Sequence, residues 1–256
     1  MPMESVQQTA HILVFDDADG VACAAADRFV EVAQASIADR GRFSVALAGG
    51  STPRRTYQLL ATGEYRDRIS WDSVHIFFGD ERCVPPTDAE SNYRMAREAM
   101  IEVLPVPAEN VHRMAGEGDP VVGARLYEKE LRSFFEGAAA WPRFDLVLLG
   151  MGDDGHTASL FPGTPALAEQ QAWVVANPVE KLETFRITLT IPAINHAAHV
   201  IFMVTGAGKA ERLAAVIHGE RDPERLPAQM IQPVDGSLTW LVDRAAASLL
   251  SKDNHS

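Results

Sequence analysis

Short apolar runs alternate along the chain with amphipathic segments, and this alternation predicts the fold class. Several runs are continuously apolar, as expected for strands that are covered on both faces. Seven runs are predicted as strands: 43–48, 74–78, 146–149, 173–176, 187–189, 200–204 and 238–242. Strands separated by helices in this way indicate an α/β protein with a single doubly wound, mainly parallel sheet and helices on both faces.

The segments between these strands carry apolar residues at helical spacing. One helix is marked by an apolar residue every three or four positions from Val21 to Ile37, and others are predicted around 96–103, 124–135 and 210–217. Thr52-Pro53 and Asp119-Pro120 each place a capping side chain before a proline at the first helical position. Both pairs therefore predict a helix start.

The composition narrows the class of protein. With 256 residues, 46% of them hydrophobic, and no repeat or linker, the chain is expected to form one domain over residues 1–250, with a disordered tail at 251–256. No apolar run reaches membrane-helix length and no signal peptide is recognisable, so we expect a cytoplasmic protein that contacts no membrane. The two cysteines predict no disulfide framework. A net charge of −12 argues against nucleic acid as a partner.

Ligands of open α/β sheets bind outside the carboxyl ends of the strands, so functional side chains are expected in the loops after the strands. The first contains Gly49, Gly50, Ser51 and Thr52 before Pro53. Its glycines permit close approach of a ligand, and the helix start offers amide donors and hydroxyls. An ordinary tight turn with a threonine cap is the alternative. A nucleophile elbow is excluded because proline stands where its second glycine is needed.

The second loop is Gly79-Asp80-Glu81-Arg82, directly after the predicted strand 74–78. Three consecutive charges at a strand end could supply an acid, a base and a guanidinium that pairs with an anion. A solvated loop is the alternative, since runs of charge are most often exposed.

The third loop, from Gly150 to His156, has the spacing of a dinucleotide fingerprint. Pro162-Gly163 interrupts the long helix that should follow, which argues against a nucleotide cofactor. Two carboxylates and His156 on a glycine-rich loop suit general acid–base chemistry. A metal site is the rival, but its other plausible ligands, His196 and His199, are more consistent with structural roles.

The fourth loop, Thr205-Gly206-Ala207-Gly208-Lys209, resembles the end of a P-loop. Met203 and Ala210 replace the first glycine and the magnesium-binding hydroxyl, so nucleotide hydrolysis is not expected. A lysine in the first turn of a helix is unfavourable unless an anion neutralises it, which makes Lys209 a candidate phosphate ligand. Together the four loops indicate a small anionic substrate, such as a phosphate ester, and acid–base chemistry with no metal or other cofactor.

Three motifs in order, LAGGSTPRRTY, FFGDERCVPPTDAESNYRMA and DLVLLGMGDDGHTASLFPG, closely resemble those of the 6-phosphogluconolactonases. These belong to the glucosamine-6-phosphate isomerase/6-phosphogluconolactonase superfamily, and the resemblance runs from about residue 15 to 245. It implies a doubly wound α/β fold. It also implies hydrolysis of 6-phospho-D-glucono-1,5-lactone to 6-phosphogluconate, in the oxidative pentose phosphate pathway.

The related glucosamine-6-phosphate deaminases share the fold and the DGH loop, but a segment like AFNEP, with a catalytic glutamate, follows their histidine. Here Thr157-Ala158-Ser159-Leu160-Phe161-Pro162 follows His156, so that glutamate is absent. The GDER tetrad also favours the lactonase. The two remaining alternatives are a sugar-phosphate isomerase or deaminase, and a non-catalytic sugar-phosphate sensor, against which retention of His156 argues.

The resemblance also implies roles for individual residues. It makes His156 the base that activates water. Asp154, two residues away, is expected to orient or tune the imidazole. The resemblance matches Arg82 and Lys209 to phosphate-contacting positions, with the loop of Gly49, Gly50, Ser51 and Thr52 alongside. Asp80 is expected to contact sugar hydroxyls, and Asn92 and Arg186 are expected near the site. The expected partner is a phosphosugar lactone, and the expected assembly is a monomer or a weak homo-oligomer.

Overall fold

The computed structural model describes residues 10–136 and 140–250, and the predicted tail lies outside this part of the chain. The described strands are β1 (His11–Phe15), β2 (Phe43–Leu47), β3 (Val74–Phe78), β4 (Asp80–Arg82), β5 (Leu146–Leu149), β6 (Val174–Val179), β7 (Thr184–Leu189), β8 (His199–Val204) and β9 (Ser237–Asp243). The described α-helices are α1 (Ala18–Arg40), α2 (Ser51–Leu60), α3 (Gly63–Arg66), α4 (Asn92–Ala96), α5 (Pro120–Phe134), α6 (Ile191–Asn195) and α7 (Ala210–His218).

Six strands form a parallel sheet in the order β1-β9-β8-β5-β2-β3. The chain adds β3 on one side of β2 and then β5, β8 and β9 on the other. The strand order therefore reverses between β2 and β5, and at such a switch point the carboxyl ends of the strands leave a crevice for ligands. The predicted α/β class and mainly parallel sheet are confirmed.

Helices cover both faces of this sheet. On one face, the ring of Phe29 in α1 lies 5.1 Å from that of Phe43 in β2. Phe77 of β3 pairs with Ala46, three residues after Phe43, and so it points to the opposite face. There its ring lies 4.9 Å from that of Phe134, at the end of α5. The predicted double winding is confirmed by these contacts.

The prediction that all strands belong to one sheet is wrong. The segments at 173–176 and 187–189 correspond to β6 and β7, which form a second, antiparallel sheet in the order β4-β7-β6. Only residues 180–183 separate β6 from β7, which suffices for a hairpin, whereas a parallel crossover needs about a dozen residues or more. The edge strand β1 and the charged strand β4 were not predicted; β4 has no apolar residue to signal it.

Two buried tyrosines hydrogen-bond to the backbone at the ends of β2 and β3. The hydroxyl of Tyr57 donates to the carbonyl of Ala48 at 2.9 Å and accepts from its amide at 3.0 Å. The hydroxyl of Tyr127 makes the same pair of bonds with Phe78, at 3.2 and 2.9 Å. Because the strand-end groups are satisfied in this way, the chain can leave the sheet at both places without orphaned buried polar groups.

Of the two helix starts predicted from the sequence, the one at Asp119-Pro120 is confirmed and the one at Thr52-Pro53 is not. Asp119 caps α5 as predicted, accepting a 2.9 Å bond from the amide of Val122. Helix α2 begins at Ser51 instead, with Gly50 at its cap position and no side-chain cap. The predicted capping role of Thr52 is therefore wrong, because its hydroxyl already lies within the helix and bonds elsewhere.

None of the helices within residues 10–136 and 140–250 combines the length and the apolar character that crossing a bilayer requires. Both cysteines, Cys23 and Cys83, are free. The cytoplasmic location, the single domain over residues 1–250 and the monomeric or weakly oligomeric state stay predictions.

Candidate active site

A cavity of about 550 Å³ lies beyond the carboxyl ends of β3 and β5, beside the small sheet. Four segments contribute to it: strand β4, the loop after β5, the β6–β7 hairpin and helix α7. The residues that line it are Asp80, Arg82, Asp153, Asp154, His156, Ala158, Ser159, Phe161, Lys181, Leu182, Arg186 and Arg212. The cavity therefore holds five of the predicted site residues together with three further cationic or hydroxyl side chains.

The loop after β5 folds tightly around His156. The amide of Gly152 donates to the carbonyl of His156 at 2.8 Å, and Gly155 has a φ of +83°. A Cβ on Gly152 would lie only 2.1 Å from the imidazole. Glycine is therefore required at 152 because the histidine ring lies against the backbone there.

His156 and Asp154 form a hydrogen-bonded pair, with Nδ1 of the imidazole 2.5 Å from Oδ1 of the carboxylate. An ionised carboxylate can only accept, so Nδ1 carries the proton and Nε2 of the neutral ring keeps its lone pair. Within the described part of the chain, no group hydrogen-bonds to Nε2. The imidazole also packs on Phe161, with ring centroids 4.1 Å apart.

The carboxylate of Asp154 is held in its ionised form. Burial by itself would raise the pKa, but hydrogen bonds from His156 and from the ammonium group of Lys181 outweigh it and hold the pKa well below its ordinary value. Asp154 is therefore an anion throughout the physiological range, and it can orient the imidazole in a single tautomer.

Asp80 is buried at the wall of the cavity, with 7% of its surface exposed. Its Oδ1 accepts from the amide group of Asn92 at 3.2 Å and its Oδ2 from the hydroxyl of Ser159 at 2.5 Å. Asn92 also donates to the Asp80 carbonyl at 3.0 Å, and it lies behind the wall rather than on it. The structure thus places Asn92 as the support of Asp80.

Arg82 and Arg186 lie directly opposite each other in the β4–β7 register. Their side chains donate to backbone carbonyls, Arg82 to Glu90 at 2.5 Å and Arg186 to Phe185 at 3.1 Å. Neither forms an ion pair with any residue that the structure describes. Burial lowers the pKa of Arg186, and the neighbouring charge of Arg82 lowers it further. Two like charges that face each other in this way favour an anion between them.

Lys209 occupies a different position from these arginines. Its ammonium group lies 2.5 Å from Oδ1 of Asp153, and this contact lowers the pKa of Asp153. The negative charge that was expected beside Lys209 is thus supplied by the side chain of Asp153. Lys209 lies behind Asp153 and is not part of the cavity lining.

The first glycine loop also lies outside the cavity lining, so Gly49, Gly50, Ser51 and Thr52 are not brought to it. The hydroxyl of Thr52 lies 2.8 Å from that of Thr205, which joins this loop to the one that precedes Lys209. A Cβ on Gly49 would lie 1.9 Å from Oδ1 of Asn92. The close approach that requires glycine here is therefore that of Asn92.

Sequence reasoning missed six residues of the cavity lining: Ala158, Ser159, Phe161, Lys181, Leu182 and Arg212. Ser159 and Phe161 belong to the motif that contains His156, so their proximity was available as a signal. Lys181 and Arg212 reach the cavity from distant segments, and Arg212 does so by donating to the carbonyl of Asp153 at 3.0 Å. No local pattern in the sequence indicates either of these two.

No group of three or more histidine, cysteine or acidic side chains within residues 10–136 and 140–250 is arranged to hold a metal ion. His196 lies 2.7 Å from the carbonyl of Pro192 through Nδ1, and His199 lies 2.8 Å from the hydroxyl of Ser237. These contacts are consistent with the structural roles expected for both histidines.

The family model of the glucosamine-6-phosphate isomerases/6-phosphogluconolactonase matches residues 16–240, and the chain belongs to this family. It is 44% identical over 217 residues to the 6-phosphogluconolactonase of Synechocystis sp., covering 84% of this chain and 88% of the relative.

Solved structures agree with this assignment. The 6-phosphogluconolactonase from Trypanosoma cruzi superposes with a TM-score of 0.84 at 32% identity, covering 97% of this chain and 99% of its own. The 6-phosphogluconolactonase from Trypanosoma brucei gives a TM-score of 0.84 at 31% identity, covering 95% and 100%. The similarity therefore extends over nearly the whole of each chain.

The contact between Gly49 and Asn92 gives a stability prediction. In Gly49→Ala the new methyl group displaces the Asn92 side chain and leaves Asp80 short of a donor, so we expect a loss of about 1–3 kcal/mol in the free energy of unfolding. Gly63→Ala is the matched control, since nothing lies within 4 Å of a Cβ there. Urea denaturation of both variants measures the difference, and equal stability of the two would contradict the prediction.

Proposed function

We propose that this chain hydrolyses 6-phospho-D-glucono-1,5-lactone to 6-phosphogluconate, with His156 as general base and no metal ion. The observation that carries the proposal is the free Nε2 of a histidine that Asp154 orients, in the same cavity as the Arg82–Arg186 pair. The names of the relatives support the same reaction.

The chemistry needs little beyond these groups. Nε2 of His156 takes a proton from a water molecule while the water oxygen attacks the lactone carbonyl carbon. The resulting imidazolium, stabilised by Asp154, then gives its proton to the ring oxygen as the bond between that oxygen and the carbonyl carbon breaks. The acid that forms loses its own proton to solvent. An ester carbonyl is already electrophilic, so an aligned water, one base and a site for the oxyanion suffice.

The phosphate of the substrate is assigned to Arg82 and Arg186. An anion between the two guanidinium groups removes their mutual repulsion and gains charge-assisted hydrogen bonds. Asp80, already engaged by Asn92 and Ser159, lies beside this pair and is assigned to the sugar hydroxyls. Lys209 can reach the phosphate only by exchanging Asp153, which makes it an outer contact.

Isomerisation or deamination is disfavoured by the same geometry. Those reactions require a base for a carbon-bound proton and a second acid–base group near the histidine. Both oxygens of Asp80 accept hydrogen bonds, and the segment after His156 carries no carboxylate. Ammonia release from glucosamine 6-phosphate is the assay that would reveal a deaminase.

His156→Ala is expected to reduce the lactonase rate by about 10²–10⁴-fold with the fold intact, because the general base is removed. The rate is measured with purified protein and corrected for uncatalysed lactone hydrolysis. His218→Ala, at an exposed position on α7, is the control and is expected to keep the wild-type rate. A folded His156→Ala protein with wild-type turnover would refute the role of His156.

Arg82→Ala and Arg186→Ala are expected to weaken recognition of the phosphate more than the chemistry. Loss of one charge-assisted bond corresponds to about 1.5–3 kcal/mol, or about 10–150-fold in kcat/KM. The loss should appear with the 6-phospholactone and largely vanish with unphosphorylated gluconolactone. Lys209→Ala is expected to lose less, since Lys209 must first release Asp153. Exposed Arg125→Ala is the control. Equal losses on both lactones would place the phosphate elsewhere.

Dialysis against a chelator is expected to leave the rate unchanged. The carboxylates beside His156 are already engaged, Asp153 by Lys209 and Asp154 by Lys181 and His156, so a metal ion would have to displace two ammonium groups. The assay compares the rate before dialysis, after it and after readdition of zinc or manganese. Activity that is lost on chelation and restored by a metal would contradict this part of the proposal.

A further inference from the structure

The hairpin between β6 and β7 carries a lysine that reaches the catalytic pair. Lys181 lies in the short turn Glu180–Leu182, which ends at Glu183 in the left-handed conformation with a φ of 50°. Its ammonium group donates to Oδ2 of Asp154, while Oδ1 of the same carboxylate accepts from His156. Both oxygens of Asp154 are therefore held, from opposite sides.

A second contact closes the arrangement into a ring of four residues. The Lys181 ammonium group lies 4.7 Å from the ring centroid of Phe161, a cation–π distance. Phe161 in turn packs on the imidazole of His156 at 4.1 Å. Lys181 thus fixes the carboxylate that orients the histidine and also contacts the ring on which the histidine rests.

We propose that Lys181 is a positioning residue for the reaction assigned above. It holds Asp154 in the orientation that leaves Nε2 of His156 free, and it offsets the carboxylate's charge so that the imidazole returns to its neutral form after each turnover. Lys181 touches Asp154 and Phe161 rather than the scissile bond. The proposal rests on the proposed function for its kinetic test, but the His156–Asp154–Lys181 coupling can be measured without substrate.

The charges around the pair fix the sign of the expected effect. Asp153 with its partner Lys209, on the loop after β5, and Arg212 of α7 are nearby charges, and Asp80, Arg82 and Arg186 line the same cavity. All of these remain in Lys181→Met, which removes one positive charge beside Asp154. The carboxylate then acts on His156 without its counter-ion, so the protonated imidazole is favoured. The acid limb of the kcat/KM profile should therefore move to higher pH.

The kinetic experiment compares Lys181→Met, Lys181→Arg and the control Lys129→Met, which removes the same charge from an exposed position on α5. Lys181→Met is expected to lower kcat about 3- to 30-fold, by a similar factor on the phosphorylated and unphosphorylated lactones, with KM little changed. Its acid limb is expected to rise by a few tenths to about one pH unit, the range for a half-exposed ion pair. Lys181→Arg should recover most of both effects, and Lys129→Met should match the wild type.

A substrate-free measurement accompanies the kinetics. The imidazole of His156 is titrated by NMR in histidine-labelled wild type and Lys181→Met, and the variant is expected to show the higher midpoint. An unchanged midpoint, or a Lys181→Met defect confined to KM for the phosphorylated lactone, would overturn the proposal. If the wild type hydrolyses neither lactone, the proposed function fails, whereas the NMR comparison still decides whether Lys181 is coupled to His156.

Discussion

The burial of two adjacent carboxylates, Asp80 and Glu81, constrains the whole site. They are 7% and 3% exposed, and charges so placed require hydrogen bonds to nearly every oxygen. Glu81 takes its donors from the start of α4, accepting from the amides of Asn92 and Tyr93, each at 2.8 Å. Burial raises the pKa of Glu81, and these bonds act against that rise. Since Asp80 accepts from Ser159, the same pair ties α4 to the loop that carries His156.

These hydrogen bonds hold strand β4 against the loop that carries His156, and these two segments line the cavity. The residue after Glu81 is Arg82, which the β4–β7 register places opposite Arg186, and the same hairpin carries Lys181 to Asp154. The small antiparallel sheet therefore holds Arg82 and Arg186 against the His156–Asp154 pair. In a chain with a net charge of −12, attraction of an anionic substrate depends on such locally held cations rather than on the overall field.

The sequence predicted what depends on local pattern. The apolar runs located seven of the described strands, and the rule for strand ends drew attention to the loops that contain Asp80, Arg82 and His156. The sequence pattern predicted that Gly49 approaches a ligand and that Lys209 binds a phosphate. In the structure, Gly49 lies against Asn92 and Lys209 forms an ion pair with Asp153. Which side chains contact each other depends on the tertiary structure and cannot be predicted from a local sequence pattern. Lys181 lies 27 residues from Asp154, and only the hairpin geometry brings the two together.

The segment after His156 decides which chemistry the cavity can support. Thr157 and Ser159 are almost fully buried, at 1% and 2% exposed, and their hydroxyls donate to the carbonyl of Gly150 at 2.9 Å and to Asp80. Both hydroxyl groups form hydrogen bonds that fix the loop, and the ring of Phe161 packs against the imidazole of His156. An isomerisation needs a second acid–base group here, and every polar side chain of the segment is already engaged. Among the polar groups of the described loop, Nε2 of the oriented imidazole keeps its lone pair unused, and this is the group that the proposed hydrolysis uses as its base.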